Sequence, residues 1–123
     1  MPQPPLNQRR GSAAEDLAAA YLTGQGLHLL ARNFRVRGGE IDLILRDGPT
    51  LVFVEVRLRS STAYGGAAAS ISAVKQRRLI LAARHYLQRH HRGGEPTCRF
   101  DAVLLGALDQ AHLQWLKNAF TLA

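Results

Sequence analysis

The sequence predicts a single α/β domain in which helices flank a mixed β-sheet, with the core order α-β-β-β-α-β. Three observations predict this class. Two segments with helical periodicity enclose three strand-like segments. Turn signals that contain glycine, Gly38-Gly39 and Asp47-Gly48, separate these strands. A fourth strand-like segment follows the second helix, and 123 residues suffice for one domain with one hydrophobic core.

The chain is expected to open with a disordered basic arm over residues 1–10, because MPQPPLNQRR is polar and rich in proline. The domain itself then spans 11–123. A helix is predicted over 12–25, where small and apolar residues recur on one face. Ser12 fits an N-cap, and Glu15 three residues later fits a capping box.

Three strands are predicted next, over residues 27–36, 40–46 and 51–58, and short turns between them indicate an antiparallel meander. Side chains alternate between the two faces of a strand. In the second strand this alternation places Asp42 and Ile44 on one face, with Glu40, and Ile41 on the other.

The glycine-rich segment 60–70 reads as a loop, and residues 72–91 read as a long amphipathic helix. Residues 98–105 form the fourth strand. A strand, a crossover helix and a further strand usually give a parallel pair, so the sheet should be mixed. Residues 112–117, which carry Trp115, are predicted to form a fifth strand at the sheet edge.

The composition favours a soluble cytoplasmic protein. Hydrophobic residues make up 46% of the chain and charged residues 20%. No apolar run approaches the roughly 20 residues of a membrane span, and the N-terminus lacks the apolar run of a signal peptide. Cys98 is the only cysteine, which excludes an intrachain disulfide and fits a reducing compartment.

The net charge of +7 predicts a polyanionic partner, with nucleic acid first and an anionic membrane surface second. All basic residues except Lys75 and Lys117 are arginines. The planar guanidinium donates two parallel hydrogen bonds to a phosphate, so arginine suits such a partner. There is no Walker loop and no G-x-S-x-G motif, so nucleotide hydrolysis and serine hydrolase chemistry are not indicated.

Two carboxylates, Asp42 and Glu55, interrupt neighbouring apolar strands. A buried carboxylate is costly unless it is paired, hydrogen-bonded or bound to a metal. Their positions therefore suggest a site for a hard cation such as Mg²⁺, with Arg57 supplying positive charge. The structural alternative is an ion pair between Glu55 and Arg57, with Asp42 hydrogen-bonded near the turn.

Several basic residues of the second helix are candidates for phosphate binding. Lys75 lies near the helix N-terminus, a place that suits a phosphate. Further along the helix, Arg77, Arg78, Arg84 and Arg89 form either a solvated face or a nucleic-acid contact surface.

Seven separate motifs follow one another along the chain: AEDLAAAYL, ARNFR, GGEIDLILRDG, LVFVEVR, KQRRLILAARHYL, CRFDAVLL and WLKNAF. In these motifs and their order, about residues 11–120 resemble the YraN family of small bacterial proteins. The resemblance implies a restriction-endonuclease-like fold, similar to archaeal Holliday-junction resolvases and other PD-(D/E)XK nucleases.

The resemblance also implies roles for individual residues. Asp42 and Glu55 match the metal ligands of the nuclease motif, and Glu15 matches a helix glutamate placed near the metal. Arg57 stands where the motif has lysine, and Ile41 stands where it has proline.

We therefore expect a cytoplasmic nucleic-acid-binding protein that acts as an endonuclease on DNA, including branched DNA, with Mg²⁺ or Mn²⁺. Asp42 and Glu55 would act with Arg57 or Lys75 at the scissile phosphate. Arginine does not exchange a proton near neutral pH, so the alternative is a catalytically silenced DNA-binding or complex-assembly module. A third interpretation is an interaction protein that forms a homodimer through the edge strand near Trp115.

Overall fold

The computed structural model describes residues 6–58, 71–91 and 96–120, with the backbone alone for 6–10. In chain order the elements are α1 (Leu6–Gly24), β1 (His28–Val36), β2 (Gly39–Asp47), β3 (Thr50–Leu58), α2 (Ala73–His90), β4 (Cys98–Leu105) and β5 (Leu113–Phe120). A short 3₁₀ turn, Gln110–His112, precedes β5. The predicted class and element order are confirmed, while the loop predicted over 60–70 lies outside the described residues.

The five strands form one sheet in the order β1-β2-β3-β4-β5. The neighbours β1–β2, β2–β3 and β4–β5 pair antiparallel, which confirms the meander. The pair β3–β4 is parallel, as expected for strands joined through a crossover helix. The fifth strand is confirmed at the sheet edge, and it continues to Phe120, three residues beyond its predicted end.

Apolar side chains pack on both faces of the sheet. The face covered by α2 buries Ile41, Ile44, Leu51, Phe53, Leu79, Ala82, Tyr86 and Phe100. The face covered by α1 buries Ala14, Ala18, Leu22, Leu43, Leu45, Val52, Val54 and Val103. Each fully buried large side chain contributes about 1.5–3 kcal/mol, so the central strands are held firmly and polar groups on them are fixed in position.

The first helix begins at Leu6, six residues before the predicted start. Residues 6–10 read LNQRR. Leucine, glutamine and arginine are good helix formers, so these residues extend the helix toward the N-terminus. Ser12 therefore lies inside α1 and is not an N-cap, so the capping-box interpretation of Glu15 is wrong. Of the predicted arm, residues 1–5 lie outside the described residues.

The second helix begins where the sequence predicts. Ser72 is its N-cap, and the Ser72 hydroxyl accepts a hydrogen bond from the Lys75 amide at 3.1 Å. The Gln76 side chain donates to the Ile71 carbonyl at 3.0 Å, which ties the preceding residue to the first turn. These bonds fix the orientation of the first turn of α2, which carries Lys75. Neither described helix is long and apolar enough to cross a membrane.

The β1–β2 turn packs directly on α2. A Cβ atom added at Gly39 would lie 2.5 Å from the Arg78 carbonyl oxygen and 3.1 Å from the Ala82 amide nitrogen. Gly38 has a φ of +84°, in the left-handed region that favours glycine. The Gly38-Gly39 turn is therefore required both by its backbone conformation and by its close approach to the helix.

Candidate metal and phosphate site

The candidate site lies where strands β2 and β3 stop pairing. Their ladder ends at Leu43, which lies opposite Val54. At the residue before Leu43, a side chain takes the place of a backbone partner. The Oδ2 atom of Asp42 accepts a hydrogen bond of 2.8 Å from the Val56 amide. A carboxylate is thus held between two strands at the point where they separate.

The alternation of β2 breaks at this point. Ile41 packs in the same cluster as Ile44, on the α2 side of the sheet. The prediction that Ile41 faces away from Ile44 is therefore wrong. The strand is freed from β3 beyond Leu43, and the neighbouring β1 has Asn33 with a φ of 52°, so both partners depart from regular geometry.

The environment of Asp42 raises the pKa of its carboxyl group from 3.8 to about 7. Burial is the largest cause, and the negative charges of Glu55 and Glu15 raise the pKa further. The Val56 hydrogen bond and the positive charge of Lys75 act in the opposite direction. The surroundings of Asp42 therefore do not fully stabilise the negative charge of its ionised carboxylate. A bound cation would stabilise that charge.

Glu55 is buried, with 3% of its surface exposed, and it lies on β3. Its Oε1 atom accepts a hydrogen bond of 2.8 Å from the Lys75 ammonium group. Lys75 is the third residue of α2, so the crossover helix brings a lysine into the site from 20 residues away in sequence. Arg57 lies two residues after Glu55 on β3 and is half-buried.

Glu15 approaches from the opposite side of the sheet. It is half-buried on α1, and its Oε1 atom lies 3.6 Å from the Arg32 guanidinium, which also pairs with Asp16 at 2.7 Å. Within the described residues, no group of three or more His, Cys, Asp or Glu side chains is placed to hold a metal ion. The carboxylates that could act as donors at this place are Asp42 and Glu55, with Glu15 adding negative charge nearby.

Asp101 on β4 is the other acid besides Glu55 that is buried among the described residues, and its carboxylate is fully hydrogen-bonded. It is 1% exposed. It accepts hydrogen bonds from Arg99 at 3.1 Å, from the Trp115 indole at 3.0 Å and from the Asn118 amide at 3.0 Å. Sequence reasoning missed Asp101, although an acid inside the apolar strand FDAVLL is the same signal that identified Asp42 and Glu55.

The chemistry of the donor set fits a hard divalent cation. Mg²⁺ is commonly held by one or two carboxylates, with water and phosphate oxygens completing its coordination. Asp42 and Glu55 supply two such carboxylates from neighbouring strands, and no histidine or thiol is close enough to form a three-ligand group in the described chain. The donors therefore suit Mg²⁺ or Mn²⁺ rather than zinc, which prefers nitrogen and sulfur.

The predicted phosphate-binding residues fall into two groups. Lys75 on α2 lies at the site, bonded to Glu55, and Arg57 lies two residues after Glu55 on β3. Arg77 and Arg78 are exposed on the next part of α2 and project into solvent. Trp115, which was considered as part of a dimer surface, lies half-buried with its indole bonded to Asp101.

A family model described as uncharacterised protein family UPF0102 matches residues 14–105. A UPF0102 protein from Methylobacillus flagellatus is 54% identical over 111 residues, which cover 90% of this chain and 96% of the relative. One from Nitrosomonas europaea is 57% identical over 111 residues, covering 90% and 92%. One from Cupriavidus taiwanensis is 57% identical over 120 residues, covering 96% and 87%.

Proposed function

The chain belongs to the uncharacterised protein family UPF0102, and we propose that it is a nucleic-acid-binding protein that cleaves phosphodiester bonds of DNA with a divalent cation. The observation that carries this proposal is the meeting of three groups. Asp42 and Glu55 come from neighbouring strands, and the Lys75 ammonium lies 2.8 Å from Glu55. Two carboxylates can hold one cation, and a lysine can stabilise the charge that develops on a phosphate when it is cleaved.

Asp42 and Glu55 would hold Mg²⁺ or Mn²⁺ between them. When bound, the cation supplies Lewis-acid polarisation of a phosphodiester oxygen. Its positive charge would also offset the repulsion that raises the pKa of Asp42, so binding is strongest where that carboxyl is ionised, above about pH 7. Glu15 would favour the cation through its charge while remaining paired with Arg32.

Lys75 takes the role that the nuclease motif gives to a lysine on the strand. An ammonium group has three donors, and one of them is used on Glu55. The others can meet a phosphate oxygen and stabilise the charge that develops on it. The Arg57 guanidinium would donate two parallel hydrogen bonds to the same phosphate. These bonds would bind and orient the substrate without the exchange of a proton.

The resemblance to PD-(D/E)XK nucleases supports DNA, including branched DNA, as the substrate and a restriction-endonuclease-like fold as the scaffold. The observed order of elements is compatible with that scaffold. The net charge of +7 supports a polyanionic substrate. A single half-buried cysteine is compatible with work in the cytoplasm.

Arg57 favours a second candidate, a silenced module that binds DNA without cutting it. In this case the phosphate contacts remain, so binding keeps a steep salt dependence, but no product forms with any metal. The two candidates differ in whether Lys75 replaces the missing strand lysine.

The test is cleavage of labelled duplex, flap and four-way-junction DNA in Mg²⁺, Mn²⁺ or EDTA. We expect metal-dependent cutting that Asp42→Asn abolishes and that Lys75→Met lowers by about 10²–10³-fold, the usual cost of one charge-stabilising donor. Lys117→Met is the matched control, because Lys117 is the only other lysine and lies over the Trp115 ring on β5. Binding without cutting under all conditions would contradict the nuclease proposal and support the silenced module.

A further inference from the structure

The positive charge of this protein is distributed unevenly over the described residues. Three arginines outside α2 are neutralised by acids: Arg32 pairs with Glu15 and Asp16, Arg35 pairs with Glu40, and Arg99 pairs with Asp47 and Asp101. The second helix is different, because its 18 residues include no acid.

Four exposed arginines define what we call the α2 basic face: Arg37, Arg77, Arg78 and Arg84. Among the described residues, no carboxylate lies within ion-pairing distance of any of them. Their charge is therefore available to a partner, whereas the charges of Arg32, Arg35 and Arg99 are each paired with an acid of the protein.

Arg37 belongs to this face although it lies on the β1–β2 hairpin. The hairpin tip is fixed against α2, because Gly39 approaches the Arg78 carbonyl and Gly38 lies beside the Leu81 side chain. An arginine next to that tip is thus held beside the middle of the helix. Because the hairpin packs closely on α2, Arg37 and the arginines of the helix keep fixed positions relative to one another and can contact one partner.

The α2 basic face lies on a different side of the helix from the candidate site. Lys75, at the start of α2, bonds to Glu55 inside the site, and at 100° per residue Arg77 and Arg84 lie on the opposite side of the helix from it. Arg77 and Arg84 are seven residues apart, so they share nearly the same side and lie about 10 Å apart along the axis. Phosphates follow one another about every 3.4 Å along a DNA strand, so this stretch corresponds to about three nucleotides.

We infer that the α2 basic face binds the phosphate backbone of duplex DNA outside the scissile position, over about three nucleotides along α2. This inference rests on the proposed function, since it takes DNA as the substrate of the site. Contacts to phosphates alone carry no sequence information, so this binding is independent of base sequence. The partner is duplex DNA because a duplex carries one phosphate per about 1.7 Å of its axis, about twice the density of one strand, which suits arginines spread over the hairpin and more than one side of α2.

The experiment measures binding of a labelled duplex by fluorescence anisotropy in Ca²⁺, with an Asp42→Asn background that prevents cutting, over a range of salt concentrations. The variants are Arg84→Gln and Arg37→Gln, singly and together. Arg46→Gln is the matched control, because Arg46 is exposed and lies at the far end of β2, paired in the sheet with His28. All these changes are on the surface and leave the core intact.

Each lost contact should reduce the slope of log affinity against log salt by about 0.9, and should weaken binding about eightfold at 0.1 M salt. The double variant should lose about twice that slope, and Arg46→Gln should match the parent. If the parent binds duplex DNA but both variants behave like Arg46→Gln, the inference is wrong and the proposed function stands. If the parent binds no DNA, the proposed function itself fails. The same variants are measured with a labelled RNA duplex of equal length, and a loss of affinity for RNA alone would overturn the choice of partner.

Discussion

Replacing Asp42 by asparagine should stabilise the protein at pH 8, although it removes a group of the candidate site. The asparagine Oδ1 atom can still accept the hydrogen bond of the Val56 amide. The substitution removes the carboxylate charge, which is partly buried and repelled by Glu55 and Glu15. A gain of stability on losing an acid is expected when that acid is kept for function rather than for folding.

The magnitude follows from the pKa of Asp42. The rise from 3.8 to about 7 corresponds to about 4 kcal/mol of unfavourable free energy for the ionised folded state, at 1.36 kcal/mol per pH unit. Solvent access to this partly buried group reduces the expected gain to about 2 kcal/mol. Because the folded carboxyl holds its proton more tightly than the unfolded one, this group makes the protein less stable as the pH rises from about 4 to 7.

The assay is urea unfolding of the wild-type protein and of Asp42→Asn between pH 4.5 and pH 8, values that bracket most of the Asp42 titration from 3.8 to about 7. The advantage of the variant should be small at the acidic end, grow with pH and level off above about 7. Asp109→Asn is the control: the His112 hydrogen bond lowers the pKa of this exposed carboxyl, so its removal should give no gain. A variant less stable than the wild type at pH 8, or an advantage independent of pH, would refute the reasoning.

The same substitution at Asp101 should have the opposite sign, a loss of about 3 kcal/mol in the free energy of unfolding, because it breaks a buried pair with Arg99. Faster amide exchange in β5 would locate the damage, and an unchanged melting temperature would contradict it. Gly39→Ala should lower stability by about 1–3 kcal/mol through overpacking against the Arg78 carbonyl. Gly11→Ala, inside α1 with nothing within 4 Å, should raise stability by about 1 kcal/mol in the same melts. With Mg²⁺ at about ten times its dissociation constant, the wild type should gain about 1.4 kcal/mol and Asp42→Asn nothing, which a melting series at pH 8 would check.

Local patterns predicted most of the fold, because turn residues in the sequence mark where most of the elements end. Glycine turns marked the β1–β2 and β2–β3 connections, and α2 begins directly after Ser72, at the predicted start of the second helix. The crossover through α2 then required the parallel pairing of β3 and β4. The start of α1 was missed because its first residues lack a capping signal and are recognisable only by helix propensity.

The candidate site was harder to predict, because its geometry depends on tertiary contacts. The break in alternation at Asp42 arises where β2 leaves β3, and no local pattern marks that point. The pair of Lys75 with Glu55 joins a helix to a strand 20 residues earlier, so the sequence supplied both residues but not their contact. We propose that Lys75 takes the place of the lysine that the motif has two positions after Glu55, because it is the lysine that contacts Glu55.

An acidic residue inside an apolar strand segment identified carboxylates of low exposure, but it did not separate candidate metal ligands from structural acids. Asp42, Glu55 and Asp101 all interrupt apolar runs. Three donors satisfy Asp101, whereas Asp42 has a raised pKa and lies beside a second acid. Only the surroundings of each carboxylate separate a structural acid from a candidate ligand, and those surroundings come from the folded chain.

The most direct test of the central claim, that Asp42 and Glu55 hold a divalent cation, is a Mn²⁺ titration of the free protein at pH 8, followed by electron paramagnetic resonance. We predict one bound ion per chain, lost in Asp42→Asn and in Glu55→Gln and retained in Asp109→Asn. Absence of Mn²⁺ binding in the wild type, or equal binding by all four proteins, would contradict the assignment of these two carboxylates as the metal site.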